Sequence, residues 1–254
     1  MRKTLLAAAI AAFSTFSSQA AEKLVIGTEG AYPPFNFIDA SGKVGGFDVD
    51  IGLALCAEMK VECEVVTQDW DGIIPALTSK KIDMIVGSMS ITEERMKTID
   101  FTDKYYNTPT GIIGPKDQTF DAKPASLAGK VVGVQVSTVH ADYAKKHFTE
   151  AAEIKEYQTQ DEANQDLAAG RVDAVIADLI TLDAFLKSEA GACCDHKGNV
   201  EDDPAVLGLG VGIGVRKEDT ALKDKLNAAI KAVRANGTYD SFSKKYFDFD
   251  IYGG

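Results

Sequence analysis

The constraint that most limits this chain is a β/α rhythm that runs from Leu24 to Ala177 and restarts once. Leu24–Thr28 reads as a strand, Phe47–Met59 as a helix with Val49, Leu53 and Cys56 on one face, and Val61–Thr67 as a strand. Ile73–Thr78 is helical and Ile82–Val86 is a buried strand. After Lys130 the pattern begins again: strand Val131–Val136, helix Thr138–Phe148, strand Glu153–Tyr157, helix Glu162–Ala169, strand Ala174–Ala177. Alternation of this kind builds parallel sheets covered by helices. The restart predicts two such units, each a mixed, mostly parallel sheet flanked by helices. A late helix carrying Leu222, Leu226, Ala229, Ile230 and Val233 stops at Asn236-Gly237.

A short repeat supports the two-unit reading. Lys-Lys-Ile-Asp-Met-Ile-Val at 80–86 and Gly-Arg-Val-Asp-Ala-Val-Ile at 170–176 each follow a helix and enter a strand through apolar–Asp–apolar. Tyr106–Gly114, with Pro109, and Gly208–Gly214, with its alternating glycines, read as the crossings between units.

The N-terminus reads as an export signal: Arg2 and Lys3, an apolar stretch Leu5–Phe13, then small residues at Ser18-Gln19-Ala20. The apolar stretch is too short to span a bilayer, which takes about 20 residues. Export exposes cysteines to an oxidising compartment. Cys56 and Cys63 flank a short helix-to-strand connection where a disulfide forms easily. Adjacent Cys193 and Cys194 leave three options open: reduced, bonded to each other, or paired between molecules. His140, His147 and His196 are scattered, so no metal site is expected. With 38 acidic against 27 basic side chains, the formal net charge of −11 argues against sequence-independent nucleic-acid binding and against adhesion to anionic lipid.

Ligands of open α/β sheets bind beyond the carboxyl ends of the strands, near helix N-termini. Four segments put polar groups there: Gly27–Phe35 with Glu29 and Tyr32, Asp69-Trp70-Asp71, Gly87–Arg95, and Gln135–Thr138 joined by Asp178. Arg95 follows Glu93 and Glu94 in the first turn of a short helix, the wrong end of the dipole for a cation. A solvated ion pair explains it, and so does a carboxylate-binding fork.

The motifs Gly27-Thr-Glu-Gly-Ala-Tyr-Pro-Pro-Phe, Gly46-Phe-Asp-Val-Asp-Ile-Gly and Asp69-Trp-Asp-Gly-Ile-Ile-Pro-Ala-Leu continue with Ser90-Ile-Thr-Glu-Glu-Arg, Asp100-Phe-Thr, Gly170-Arg-Val-Asp-Ala, Arg216-Lys-Glu-Asp-Thr and Gly237-Thr-Tyr-Asp. In this order the chain resembles the periplasmic solute-binding proteins of polar amino-acid ABC importers, in the lysine/arginine/ornithine, histidine and opine group. The resemblance implies a two-lobed type II periplasmic binding protein fold with two hinge strands. It places a signal peptide at 1–20, the first lobe at 21–106 and 211–254, the second at 111–201, and hinges at 107–110 and 202–210. It implies a monomer without cofactor that delivers its ligand to a membrane permease.

Carried over residue by residue, the resemblance puts the ligand carboxylate on Arg95, helped by Ser88 and by Thr138, with Ser137 beside it. Asp178 receives the α-ammonium, with Ser90 nearby. Tyr32 and Trp70 form aromatic walls, and Glu29 meets the distal cation. Cys56–Cys63 resembles the single disulfide of the basic amino-acid branch. Glu29 replaces the usual Asp, Trp70 a Phe, and Gly87 a frequent Ser, which keeps histidine and opines beside the favoured order of arginine, then ornithine or lysine. Some dehydratases share the fold, which supplies the competing enzyme reading.

Overall fold

A computed structural model describes residues 23–253, so the export-signal reading at 1–20 lies outside the described residues. Two five-stranded sheets form the frame, and they share one topology. The first runs Glu62–Thr67, Lys23–Thr28, Met84–Ile85, Gly214–Val215, Asp100–Phe101. Its first three strands are parallel and its last two pairings antiparallel. The second runs Glu153–Tyr157, Val131–Gln135, Ala174–Asp178, Thr110–Pro115, Cys194–Asn199, again parallel in the first three and antiparallel in the rest. A small antiparallel sheet of Ala31–Tyr32, Asn36–Ile38 and Val44–Gly45 follows the first strand.

The repeated apolar–Asp–apolar motif has a physical cause. Asp83 Oδ2 accepts the Val25 N–H at 2.9 Å, and Asp173 Oδ2 accepts the Val131 N–H at 2.8 Å. Each aspartate thus satisfies a backbone donor on the neighbouring parallel strand of its sheet, just before its own strand begins. In the first sheet Asp83 also meets Arg216, whose guanidinium donates to Asp83 Oδ1 at 3.0 Å and to the carbonyls of Leu77 and Ile82.

The Phe47–Met59 helix has the expected bounds and buries Val49 and Cys56 as expected, and departs from the sequence reading at Leu53. Its buried stripe is Phe47, Asp48, Ile51, Gly52, Leu55 and Cys56, with Val49 at its edge, while Leu53 is 41% exposed. At about 100° per residue, Leu53 lies on the far side from Ile51. Lys60 ends this helix in the left-handed region at φ 59°, and the Cys56–Cys63 disulfide clamps the turn to the following strand. Thr138 caps the Val139–His147 helix, and Phe148 closes it. The strand expected at Ile82–Val86 is hydrogen-bonded as a ladder only at Met84–Ile85, although Ile82, Met84, Ile85 and Val86 are all buried. Cys193 and Cys194 are bonded to each other, one of the three options left open above.

The connections between the sheets run side by side, since Tyr106 and Val211 form an isolated antiparallel bridge. They are shorter than Tyr106–Gly114 and Gly208–Gly214, because Thr110–Pro115 and Gly214–Val215 are already sheet strands. An aromatic core beneath the first sheet stacks Phe35 on Tyr106, with centroids 4.9 Å apart, and sets Phe47 edge-on to Tyr106.

Candidate functional site

The carboxyl ends of the parallel strands of both sheets face one another across a narrow cavity lined from both sides. From the first sheet, Glu29 and Tyr32 follow Lys23–Thr28, Trp70 follows Glu62–Thr67, and Gly87, Ser88 and Ser90 follow Met84–Ile85. Arg95 comes from the Glu93–Met96 turn. From the second sheet come Thr138, at the cap of a helix, and Asp178, the last residue of its strand. Nine of the ten residues expected from the sequence line this cavity. Ser137 does not line it, and contributes through its backbone instead.

That backbone contact joins the two halves. The Ser137 carbonyl accepts from Trp70 Nε1 at 3.0 Å and from Arg95 Nη2 at 3.2 Å. The second nitrogen of the fork, Arg95 Nη1, donates to the Ser90 carbonyl at 3.0 Å, and the guanidinium lies 5.5 Å from the Trp70 ring centroid. Ser88 and Ser137 both sit in the left-handed region, at φ 56° and 61°, Ser88 beyond the end of the Met84–Ile85 strand and Ser137 beyond the end of Val131–Gln135. Such a conformation costs a non-glycine residue roughly 1 kcal/mol, and these two turns hold it in both halves of the fold.

The acids are paired across the same gap. Glu29 Oε1 accepts from Gln135 Nε2 at 2.5 Å. Asp178 Oδ2 accepts the Tyr32 hydroxyl at 2.9 Å, and its Oδ1 accepts the Thr108 hydroxyl. Two lining residues, Val139 and His140, were not singled out from the sequence, and Gln135 was marked only as the start of the Gln135–Thr138 segment, with no role given. Gln135 carried a readable signal, a buried amide at the end of an apolar strand. His140 is buried in the first turn of its helix, with Nε2 3.9 Å from Asp178 Oδ1. Gly87 sits where an added Cβ would come 3.1 Å from Thr28 Oγ1, so this wall is close-packed.

Burial sets the charges. It raises the Glu29 carboxyl to about 7, against the Gln135 hydrogen bond, with the Asp69 charge adding to the rise. It lowers the Arg95 guanidinium to about 10, against the attraction of Asp142 and Asp178. His140 is lowered by burial and by Arg95, with Asp178 opposing. The Tyr32 phenol is held well above its ordinary value, by burial first and by Asp178 second. The cavity therefore presents two carboxyls, one guanidinium and two aromatic faces. Among the described residues no cluster of three His, Cys, Asp or Glu side chains could hold a metal, and no helix is long and apolar enough to cross a membrane.

Residues 24–249 match the model of bacterial extracellular solute-binding proteins, family 3. The chain is 49% identical over 251 residues to an L-arginine-binding protein of Pseudomonas aeruginosa, covering 98% of this chain and 96% of the relative. It superposes on an ancestral arginine-binding protein bound to arginine with TM-score 0.83 and 37% identity, over 89% of this chain and 98% of that one. An ancestral amino acid-binding protein described as a precursor of cyclohexadienyl dehydratase gives TM-score 0.78 at 32% identity, over 89% and 95%. The match spans nearly the whole described chain, and the two-lobed frame agrees with it: the chain belongs to the bacterial extracellular solute-binding proteins of family 3.

Proposed function

We propose that the protein captures a basic amino acid, arginine before ornithine or lysine, in the periplasm and delivers it to the permease of an ABC importer. The observation that carries this is the charge set of the cavity. With Glu29 ionised, Glu29, Asp178 and Arg95 form two anions and one cation, the complement of a ligand with two cationic groups and one carboxylate. Arg95 takes the carboxylate as a bidentate fork, with the helix N-terminus at Thr138 behind it. Asp178 takes the α-ammonium, with Ser90 and Ser88 beside it. Glu29 takes the distal cation, and Tyr32 and Trp70 cover the chain between, where cation–π attraction adds about 0.5–2 kcal/mol.

Closure follows from where these groups come from. Glu29, Tyr32, Trp70 and Arg95 belong to one lobe, Gln135, Thr138 and Asp178 to the other, so a ligand meets the whole set only when the lobes meet. Segments 107–110 and 202–210 serve as the hinge. The leader at 1–20 directs export, and the protein works as a monomer.

A thermal-shift screen with arginine, ornithine, lysine, histidine and octopine tests the reading. Arginine should give the largest rise, several kcal/mol at a thousandfold excess over Kd. No rise with any cationic amino acid contradicts it. Recovery of the ligand unchanged separates a carrier from a dehydratase on the same fold, and turnover would favour the enzyme.

A further inference from the structure

Asp48, the second residue of the Phe47–Met59 helix, is fully buried beneath the cavity and has no assigned part in recognition. Its Oδ2 accepts from Asn36 Nδ2 at 3.0 Å and from Ser88 Oγ at 3.1 Å, and its Oδ1 accepts from the Tyr105 hydroxyl at 2.6 Å. The Tyr106 hydroxyl in turn donates to Ser88 Oγ at 2.6 Å.

A serine hydroxyl has one proton and two lone pairs. The Ser88 proton goes to Asp48 and one lone pair to Tyr106. What remains for the cavity is a single lone pair, an acceptor and nothing else. We infer that Asp48 is a positioning residue for specificity: it turns the Ser88 hydroxyl inward so that this wall of the cavity accepts a ligand ammonium and cannot donate to a ligand oxygen. Help for the carboxylate at this position then comes from backbone, not from the hydroxyl.

The direction of the chain is over-determined. Asn36 presents its amide nitrogen to Asp48 Oδ2, while its Oδ1 accepts the Gly30 N–H at 2.8 Å, which holds the amide in that orientation. An oxygen must therefore occupy the Oδ2 position, where it accepts the Ser88 proton. The same argument says what Asp48→Asn would do. Its amide oxygen would face Asn36 and Ser88, and its nitrogen would face the Tyr105 hydroxyl, which can accept. The inward turn of Ser88 survives that substitution and is lost in Asp48→Leu.

The inference rests on the amino-acid reading above, and its test separates the two. Calorimetry gives the Kd ratio between 5-guanidinopentanoate, which lacks the α-ammonium, and L-arginine. That ratio should fall at least about tenfold in both Ser88→Ala and Asp48→Leu, the size of a lost hydrogen bond to a charged group. Asp48→Asn should keep it within about threefold, and adding Asp48→Leu to Ser88→Ala should change it little further. A merely structural role would weaken both ligands alike, so an unchanged ratio in Ser88→Ala and Asp48→Leu overturns the inference. So does a fully additive effect of Asp48→Leu on the ratio in the double variant. If the wild-type protein binds no amino acid, the functional reading itself has failed. Ser88→Ala and Asp48→Asn keep the test open should Asp48→Leu not fold.

Discussion

The Tyr32 hydroxyl donates to Asp178 Oδ2 at 2.9 Å and accepts the Asp178 N–H at 3.3 Å, joining residues 146 positions apart on opposite lobes. This pair does two jobs. It holds the lobes together and it orients the carboxylate assigned to the ligand ammonium. Tyr32→Phe removes the hydroxyl and keeps the ring. Arginine should then bind about 10–100-fold more weakly, the range for one hydrogen bond to a charged group. Calorimetric titration checks the value. Unchanged affinity would mean that the pair holds neither the lobes nor the carboxylate.

Glu29 should make binding depend on pH. Its pKa of about 7 means that below neutrality a cationic ligand must first displace a proton. Affinity should therefore fall as pH drops below about 7, by up to about tenfold per unit. Gln135→Leu removes the donor that holds the carboxyl down, and the midpoint should move upward. Glu29→Gln should flatten the profile.

Stability of the ligand-free protein follows the opposite sign. The folded pKa lies above the ordinary 4.5, so between that value and about 7 the native state binds more protons than the unfolded chain. The Glu29 contribution should make stability fall as pH rises through this window. Bound arginine offsets that cost, so the ligand-induced rise in Tm should be larger at pH 8 than at pH 6. Equal shifts at both would contradict the assignment.

The Cys56–Cys63 disulfide closes a connection at the amino end of the Glu62–Thr67 strand, the opposite end from the cavity. Replacing both cysteines by serine should cost about 2–3 kcal/mol, as expected for so small a loop. Arginine affinity should stay within about twofold. Denaturant unfolding and titration on the same sample separate the two effects.

The frame and most of the cavity are legible in the sequence because strand ends and burial are written locally. The Asp83 and Asp173 repeat was visible as a pattern, and its cause is a hydrogen bond that each makes to its own sheet. Pairings across the gap were not visible. Gln135 reads as a buried strand residue, and only the approach of the other lobe shows that its amide meets Glu29. Ser137 was marked only as the neighbour of Thr138, yet its carbonyl does the joining, and a backbone group leaves no trace in residue identity. Leu53 shows the same limit on one helix, where spacing alone put it on the face of Val49 and Cys56, which are buried, while Leu53 itself is exposed.

The central claim is that two carboxyls and one guanidinium select a ligand of two cations and one anion. Calorimetric titration at pH 8 with L-arginine and with L-citrulline, its uncharged isostere, tests it most directly. The account requires one arginine per chain and at least about 100-fold weaker citrulline, because citrulline leaves the Glu29 carboxylate buried without its cation. Equal affinity for the two, or binding of citrulline alone, would contradict it.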